Sequence, residues 1–249
     1  MNAHPARRAA AEFLGTALLV ALVVGSGIMA QRLSPTDIGL QLLENSTATA
    51  LGLTVLILIF APLSGAHFNP VVTLADYALG RRDGGPGARI VGLYIPAQIA
   101  GGIGGAILAN LMFALPVATA STHRRSAGHL WLGEVVATAG LVLLIFALGR
   151  TGRGHYAPPA VGAYIGAAYW FTSSTSFANP AVTVGRAFTD TFAGIAPSSV
   201  PGFVLAQLAG AALGTALVAL LYPAGRNEIE QHARALIAEV LSDTADTAV

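Results

Sequence analysis

Ser64-Gly65-Ala66-His67-Phe68-Asn69-Pro70-Val71-Val72-Thr73 and Ser174-Thr175-Ser176-Phe177-Ala178-Asn179-Pro180-Ala181-Val182-Thr183 decide how this chain folds. Asn is a favoured helix N-cap, and Pro suits the first helical position because its missing N–H would have no intrahelical partner. Each stretch therefore starts a helix at its Asn-Pro. The surroundings are apolar. The interval from Glu44 to Asp76 encloses 31 uncharged residues and that from Arg153 to Arg186 encloses 32. A membrane helix needs about 20 residues, so each interval holds one span and a remainder too short to cross. Irregular backbone at membrane depth survives only where protein buries it or it lines a wet cavity. Both remainders are read as re-entrant: a loop going in and a half-helix coming back.

The rest of the chain agrees. Of its 249 residues, 54% are apolar and only 10% charged, where an average globular chain carries about 25% charged. Thirteen Lys and Arg against twelve Asp and Glu give a net charge of +1, which excludes a basic nucleic-acid surface and a disordered chain. Every basic residue is Arg, so there is no Schiff-base or P-loop lysine. No Cys is present, so disulfides, thiol nucleophiles and thiolate metal sites are excluded. No nucleophile–base pair, metal cluster or phosphate loop is found. An enzyme is not expected, nor a cofactor or bound metal. Four further charge-free intervals, Glu12–Arg32, Arg89–Arg124, Glu134–Arg150 and Asp190–Arg226, enclose 19, 34, 15 and 35 residues. Six spans are expected, at roughly 9–30, 41–60, 90–114, 130–149, 158–174 and 200–222.

Three signals recur in order. Ala11-Glu12-Phe13-Leu14-Gly15-Thr16-Ala17 answers to Gly133-Glu134-Val135-Val136-Ala137-Thr138-Ala139, Asn69-Pro70 to Asn179-Pro180, and Ala97-Gln98 to Ala206-Gln207, at offsets of 122, 110 and 109 residues. Each copy has three spans and one half-span. Three is odd, so the second copy enters from the opposite side, and inverted repeats place their solute site near the midplane. The expected class is an all-α membrane protein, with six transmembrane helices and two half-helices in an inverted 3+3 repeat. Residues 1–8 form an N-terminal segment, 9–222 the membrane domain with halves at about 9–115 and 130–222, and 223–249 a tail with helical apolar spacing. Placing both termini in the cytoplasm puts nine Arg inside and four outside, as the positive-inside rule requires. Gly101, Gly105, Gly210 and Gly214 form Gly-xxx-Gly pairs, which allow close helix crossing; they are read as the seam between the halves.

This set of features resembles the aquaporin (major intrinsic protein) family over about residues 9–222. The resemblance implies a passive channel in the cell membrane, a homotetramer, and small neutral solutes and water as its cargo. The pore motifs are Asn69, Pro70, Val71 and Asn179, Pro180, Ala181. Val71 departs from the common Ala. A central water would accept hydrogen bonds from Asn69 and Asn179 and point its own hydrogens outward both ways, interrupting a proton wire. The half-helix N-termini, with about half a positive charge each, would repel cations. Glu12 and Glu134 are expected to accept hydrogen bonds from the re-entrant loops in preference to relaying protons. His67 is expected to pack against its loop and the second helix.

Most of the family carries Arg directly after the second Asn-Pro-Ala; here that residue is Val182. Family spacing places the other filter positions at Thr49, Ala167 and Ser176. The expected constriction is small, uncharged and without an aromatic side chain. Arg186 stands one turn beyond Val182 and four residues before Asp190, so an intrahelical ion pair is preferred for it, with a vestibule or filter role as the alternative. An open, weakly polar constriction suits glycerol-like polyols. Val after Asn-Pro-Ala is also similar to a bacterial subgroup associated with arsenic resistance, which implies neutral arsenite and antimonite hydroxides as solutes. The alternatives are a water-selective aquaporin and an ion-coupled secondary transporter.

Overall fold

A computed structural model describes residues 4–80 and 86–223. The tail from Asn227 onward lies outside the described residues, as do Arg81, Arg82, Arg226 and Arg234 of the orientation count. Among the described residues there are eight α-helices and no strand: α1 (Pro5–Leu33), α2 (Ile38–Ser64), α3 (Pro70–Gly80), α4 (Ala88–Met112), α5 (Gly128–Arg150), α6 (Ala157–Phe171), α7 (Pro180–Arg186) and α8 (Val200–Leu221). Helices α3 and α7 start at the Pro of each Asn-Pro, with Asn179 capping α7 by accepting from the N–H groups of Ala181 and Val182.

Five helices are long and apolar enough to cross a membrane among the described residues. The sixth crossing, α6, has 15 residues, about 22 Å of helix, and follows a 3₁₀ turn at Gly154–Tyr156. It stops at Phe171 rather than near 174, because Thr172 and the residues after it turn into the second re-entrant loop. The polarity of the molecule is that of a protein immersed in lipid. Leu51, Leu58, Leu205 and Leu220 are exposed on the outside, while Glu12, Gln98, Glu134 and Gln207 are fully buried.

The packing follows the repeat. Within the first half α1 lies against α4 and α2; within the second, α5 lies against α8. Between the halves α2 meets α6, α4 meets α7 and α3 meets α8. This corrects the reading of the glycine pairs. A Cβ on Gly101 or Gly105 would collide with the carbonyl oxygens of Phe13 and Ala17 in α1, and one on Gly210 or Gly214 with those of Val135 and Ala139 in α5. All four serve crossings inside a half. The glycines that let the halves meet include Gly102 and Gly185, each facing backbone across the α4–α7 contact, and Gly162, which faces Ala50 O and Thr54 across the α2–α6 contact.

Gly104 and Gly105 are neighbours with different surroundings. The nearest atom to a Cβ on Gly104 is 3.9 Å away. Gly104→Ala is therefore expected to raise the thermal midpoint in detergent slightly, because Ala is the better helix former and meets no clash. Gly105→Ala must push α1 and α4 apart, an overpacking cost of about 1–3 kcal/mol. It is expected to lower the midpoint by several degrees, and equal midpoints for the two variants would contradict this packing.

Candidate functional site

Each re-entrant loop is tied to a buried carboxylate of its own half. Glu12 Oε1 accepts from Ser64 Oγ at 2.6 Å and from the His67 N–H at 3.0 Å, and Oε2 accepts from the Phe68 N–H and from Gln98 Nε2, both at 2.7 Å. Glu134 repeats the pattern, accepting from the N–H groups of Phe177 and Ala178 at 2.8 Å each and from Gln207 Nε2 at 2.6 Å. Gln98 and Gln207 each donate again, to Thr73 Oγ1 at 2.9 Å and Thr183 Oγ1 at 2.8 Å. A buried carboxylate is tolerable because charged hydrogen bonds replace its water.

The loops need this support. Gly65, Ala66 and Phe68 in the first have φ of 93°, 51° and 50°; Thr175, Ser176 and Ala178 in the second have 61°, 49° and 49°. Left-handed non-glycine residues cost about 1–3 kcal/mol each and persist only where their surroundings hold them. With peptide N–H groups turned towards the carboxylate, the loop carbonyls turn the other way, into a central cavity. The two loops then hold each other. Asn69 Nδ2 donates to Ala178 O and Asn179 Nδ2 to Phe68 O, each at 2.8 Å. That uses one amide hydrogen of each Asn and leaves the second for the cavity, which both residues line.

The cavity has a volume of about 370 Å³ and runs between the halves. Its lining joins apolar side chains, Leu19, Leu53, Leu141, Val161 and Ile165, to residues of the two loops and the two Asn. Thr49, Ser176 and Val182 all line it. Ser176 Oγ is buried without a hydrogen-bond partner among the described residues.

Ala167 is not with them. It is exposed on the outer face of α6, because Val161, Ile165 and Tyr169, four residues apart, turn one stripe of that helix inward. Tyr169 lines the cavity, its hydroxyl 3.2 Å from Thr49 Oγ1. The cavity thus carries an aromatic group that family spacing did not place.

It also contains a cation. Arg186 is buried, lines the cavity and donates from Nε to Ala193 O. Its Cζ lies 3.4 Å from the centroid of the Phe177 ring. The η N–H groups are what it has left for a solute. The expected ion pair with Asp190 is not made. Helix α7 ends at Arg186, and Asp190 accepts from Thr122 N–H at 2.9 Å in the connection between the halves. That N–H, more than any other group, holds the Asp190 carboxyl below its ordinary range.

His67 also lines the cavity. Its partners are Thr73 Oγ1 at 3.0 Å from Nδ1, Asp76 Oδ2 at 3.3 Å from Nε2, and the edge of the Tyr94 ring. It packs on α3 and α4, and its ring also lies beside Gly65 in the loop that leaves α2. Val71 is fully buried against Ala75, Val142 and Ala211, so its extra bulk goes into the α3–α5–α8 contact and leaves the cavity as it is. Sequence reasoning missed Tyr169 and Asp76. The four-residue apolar period of α6 was the available signal for the first, and the matched offset of Asp76 and Arg186 from the two Asn for the second.

Comparison with known proteins agrees with this architecture. The profile of the family described as Major intrinsic protein matches residues 2–178. An aquaglyceroporin of Rhizobium meliloti, AqpS, is 51% identical over 90% of this chain and 94% of its own length. A glycerol uptake facilitator protein of Pseudomonas aeruginosa is 32% identical over 82% of this chain and 84% of its own. In fold, the crystal structure of the aquaglyceroporin from Plasmodium falciparum superimposes with a TM-score of 0.65 at 20% identity, covering 86% of this chain and 96% of that one.

The clamp gives a direct test. Glu134→Gln keeps one acceptor oxygen and sets an NH₂ against a loop N–H. It orphans at least one buried donor, at about 1–3 kcal/mol. The thermal midpoint in detergent is expected to fall by about 2–4 °C per kcal/mol. An unchanged midpoint would mean that the loop does not depend on the carboxylate.

Proposed function

The chain belongs to the major intrinsic protein family, and from that premise we propose that it is a passive transmembrane channel for small neutral solutes, glycerol-like polyols first among them. The observation that carries this is the mixed apolar and polar lining of the lumen. A polyol has a hydrocarbon face and a hydroxyl face. Leu53, Leu141 and Ile165 suit the first, while the loop carbonyls, Asn69, Asn179, Ser176 Oγ and Arg186 suit the second. Water alone would gain nothing from the apolar side chains.

Selectivity is assigned to Thr49, Tyr169, Ser176, Val182 and Arg186. Arg186 takes the electrostatic part that Val182 leaves vacant, repelling cations and donating to solute oxygens. At the centre, Asn69 and Asn179 orient a passing water by its oxygen and interrupt a proton wire. Coupled transport is disfavoured because both buried carboxylates are saturated by their loops. Trihydroxides of trivalent arsenic and antimony are neutral and about as large as glycerol. A lumen without Cys would not trap such thiophilic species, and they are included as candidate solutes. Cytoplasmic termini and a homotetramer complete the reading, the first from the Arg distribution and the second from the family.

Stopped-flow light scattering on proteoliposomes tests it, comparing water, glycerol and arsenous acid in one preparation. Glycerol entry well above that of empty vesicles is expected, linear in concentration. Fast water without glycerol entry would overturn the solute reading, and glycerol entry without arsenous acid would remove the metalloid. Arg186→Ala is expected to raise entry of polyols larger than glycerol several-fold and to admit small cations.

A further inference from the structure

We infer that Asp76 is a second charged selectivity residue of this pore, a carboxylate that bars anions at the mouth opposite Arg186. The inference rests on the channel reading above. The two halves share one frame, in which Asn69 answers to Asn179. Seven residues beyond each Asn stand Asp76 and Arg186, and two residues before each stand His67 and Phe177. All four line the cavity. Seven residues of helix place each charge about 10 Å from the central Asn pair, towards opposite ends. Arg186 is seated on the Phe177 ring and Asp76 is held by His67. The same position in each repeat thus carries a fixed charge, of opposite sign.

The pore needs the negative one. Arg186 and the amide donors of Asn69 and Asn179 make the centre and one end of the lumen electropositive. That turns cations away and draws anions in. Among the described residues that line the cavity, Asp76 is the only carboxylate; Glu12 and Glu134 are saturated behind their loops. His67 Nε2 lies 3.3 Å from Asp76 Oδ2 and Nδ1 lies 3.0 Å from Thr73 Oγ1, whose own hydroxyl donates to Asn69 O, so the ring holds the carboxylate in place. A solute entering from either mouth therefore meets both signs in series, and only a neutral one passes both.

The test uses the full-length protein in proteoliposomes, with glycerol, nitrate and potassium entry measured on each preparation. The wild type is expected to pass glycerol and neither ion. Asp76→Asn is expected to keep glycerol entry and raise nitrate entry by about tenfold or more, the low end of what a charged cleft does to local ion entry. Potassium entry stays at the wild-type level. Asp76→Glu, which keeps the charge, is expected to stay closed to nitrate. Glycerol entry with no gain of nitrate in Asp76→Asn overturns the inference, as does an equal gain in Asp76→Glu. Should Asp76→Asn fail to pass glycerol, Asp76→Ser is held to the same outcomes. Loss of glycerol entry in both, with the protein folded, also overturns it, because a group that only excludes anions is dispensable for glycerol. A wild type that passes no glycerol would instead overturn the channel reading.

Discussion

A loop that re-enters a bilayer carries peptide N–H groups to a depth where water cannot take them, and Glu12 and Glu134 are what this protein sets against them. Each carboxylate gathers two backbone N–H groups and one Gln amide, and Glu12 a hydroxyl as well. Fixing the N–H groups fixes the peptide planes. Left-handed backbone at Ala66, Phe68, Ser176 and Ala178 then becomes affordable, and the carbonyls of both loops turn to the lumen. Two of those carbonyls, on Phe68 and Ala178, receive the opposite Asn side chains. Pore geometry is thus a consequence of two buried charges that never touch the solute.

The glycines act one step earlier. Gln98 lies within 2.7 Å of Glu12 only because α4 crosses α1 closely, and that crossing is set by Gly101, one turn along from Gln98, against the carbonyl of Phe13. Gly210 and Gln207 stand in the same relation to Val135 and Glu134. In lipid, helices gain little from hiding apolar surface, so close van der Waals packing and buried hydrogen bonds decide the contact. Small residues and polar clamps are here one device: the first brings backbones near enough for the second to form.

The frame was legible because each of its parts leaves a mark on one sequence. Charge-free intervals give the spans, Asn-Pro gives the half-helices, and Glu and Gln at matched offsets give the repeat. The lumen was less legible, because which side of a helix faces inward depends on a rotation that spacing alone does not set. Ala167 and Tyr169 lie two residues apart, about 200° around α6, and only the second faces the cavity. Arg186 was misread for a related reason. A four-residue separation from Asp190 predicts an ion pair only if the helix continues, and α7 stops at Arg186 while Thr122, far away in sequence, takes the carboxylate. The glycine pairs announced a close crossing without naming the partner helix.

What the two copies share and what they do not divides the labour in this protein. Glu, Gln, Thr and Asn recur at matched places, and these residues satisfy backbone and hold the loops. The copies differ where side chains face the lumen: His67 against Phe177, Asp76 against Arg186. A duplicated frame with identical lumen residues would present the same charge at both mouths and would favour ions of the other sign. Breaking the symmetry at the pair of residues two before and seven after each Asn gives one mouth a cation and the other an anion while leaving the clamps intact. Substitutions in the shared set therefore register first in stability, and substitutions in the divergent set in what passes. The pattern of effects, more than any single variant, distinguishes a residue that builds this pore from one that selects for it.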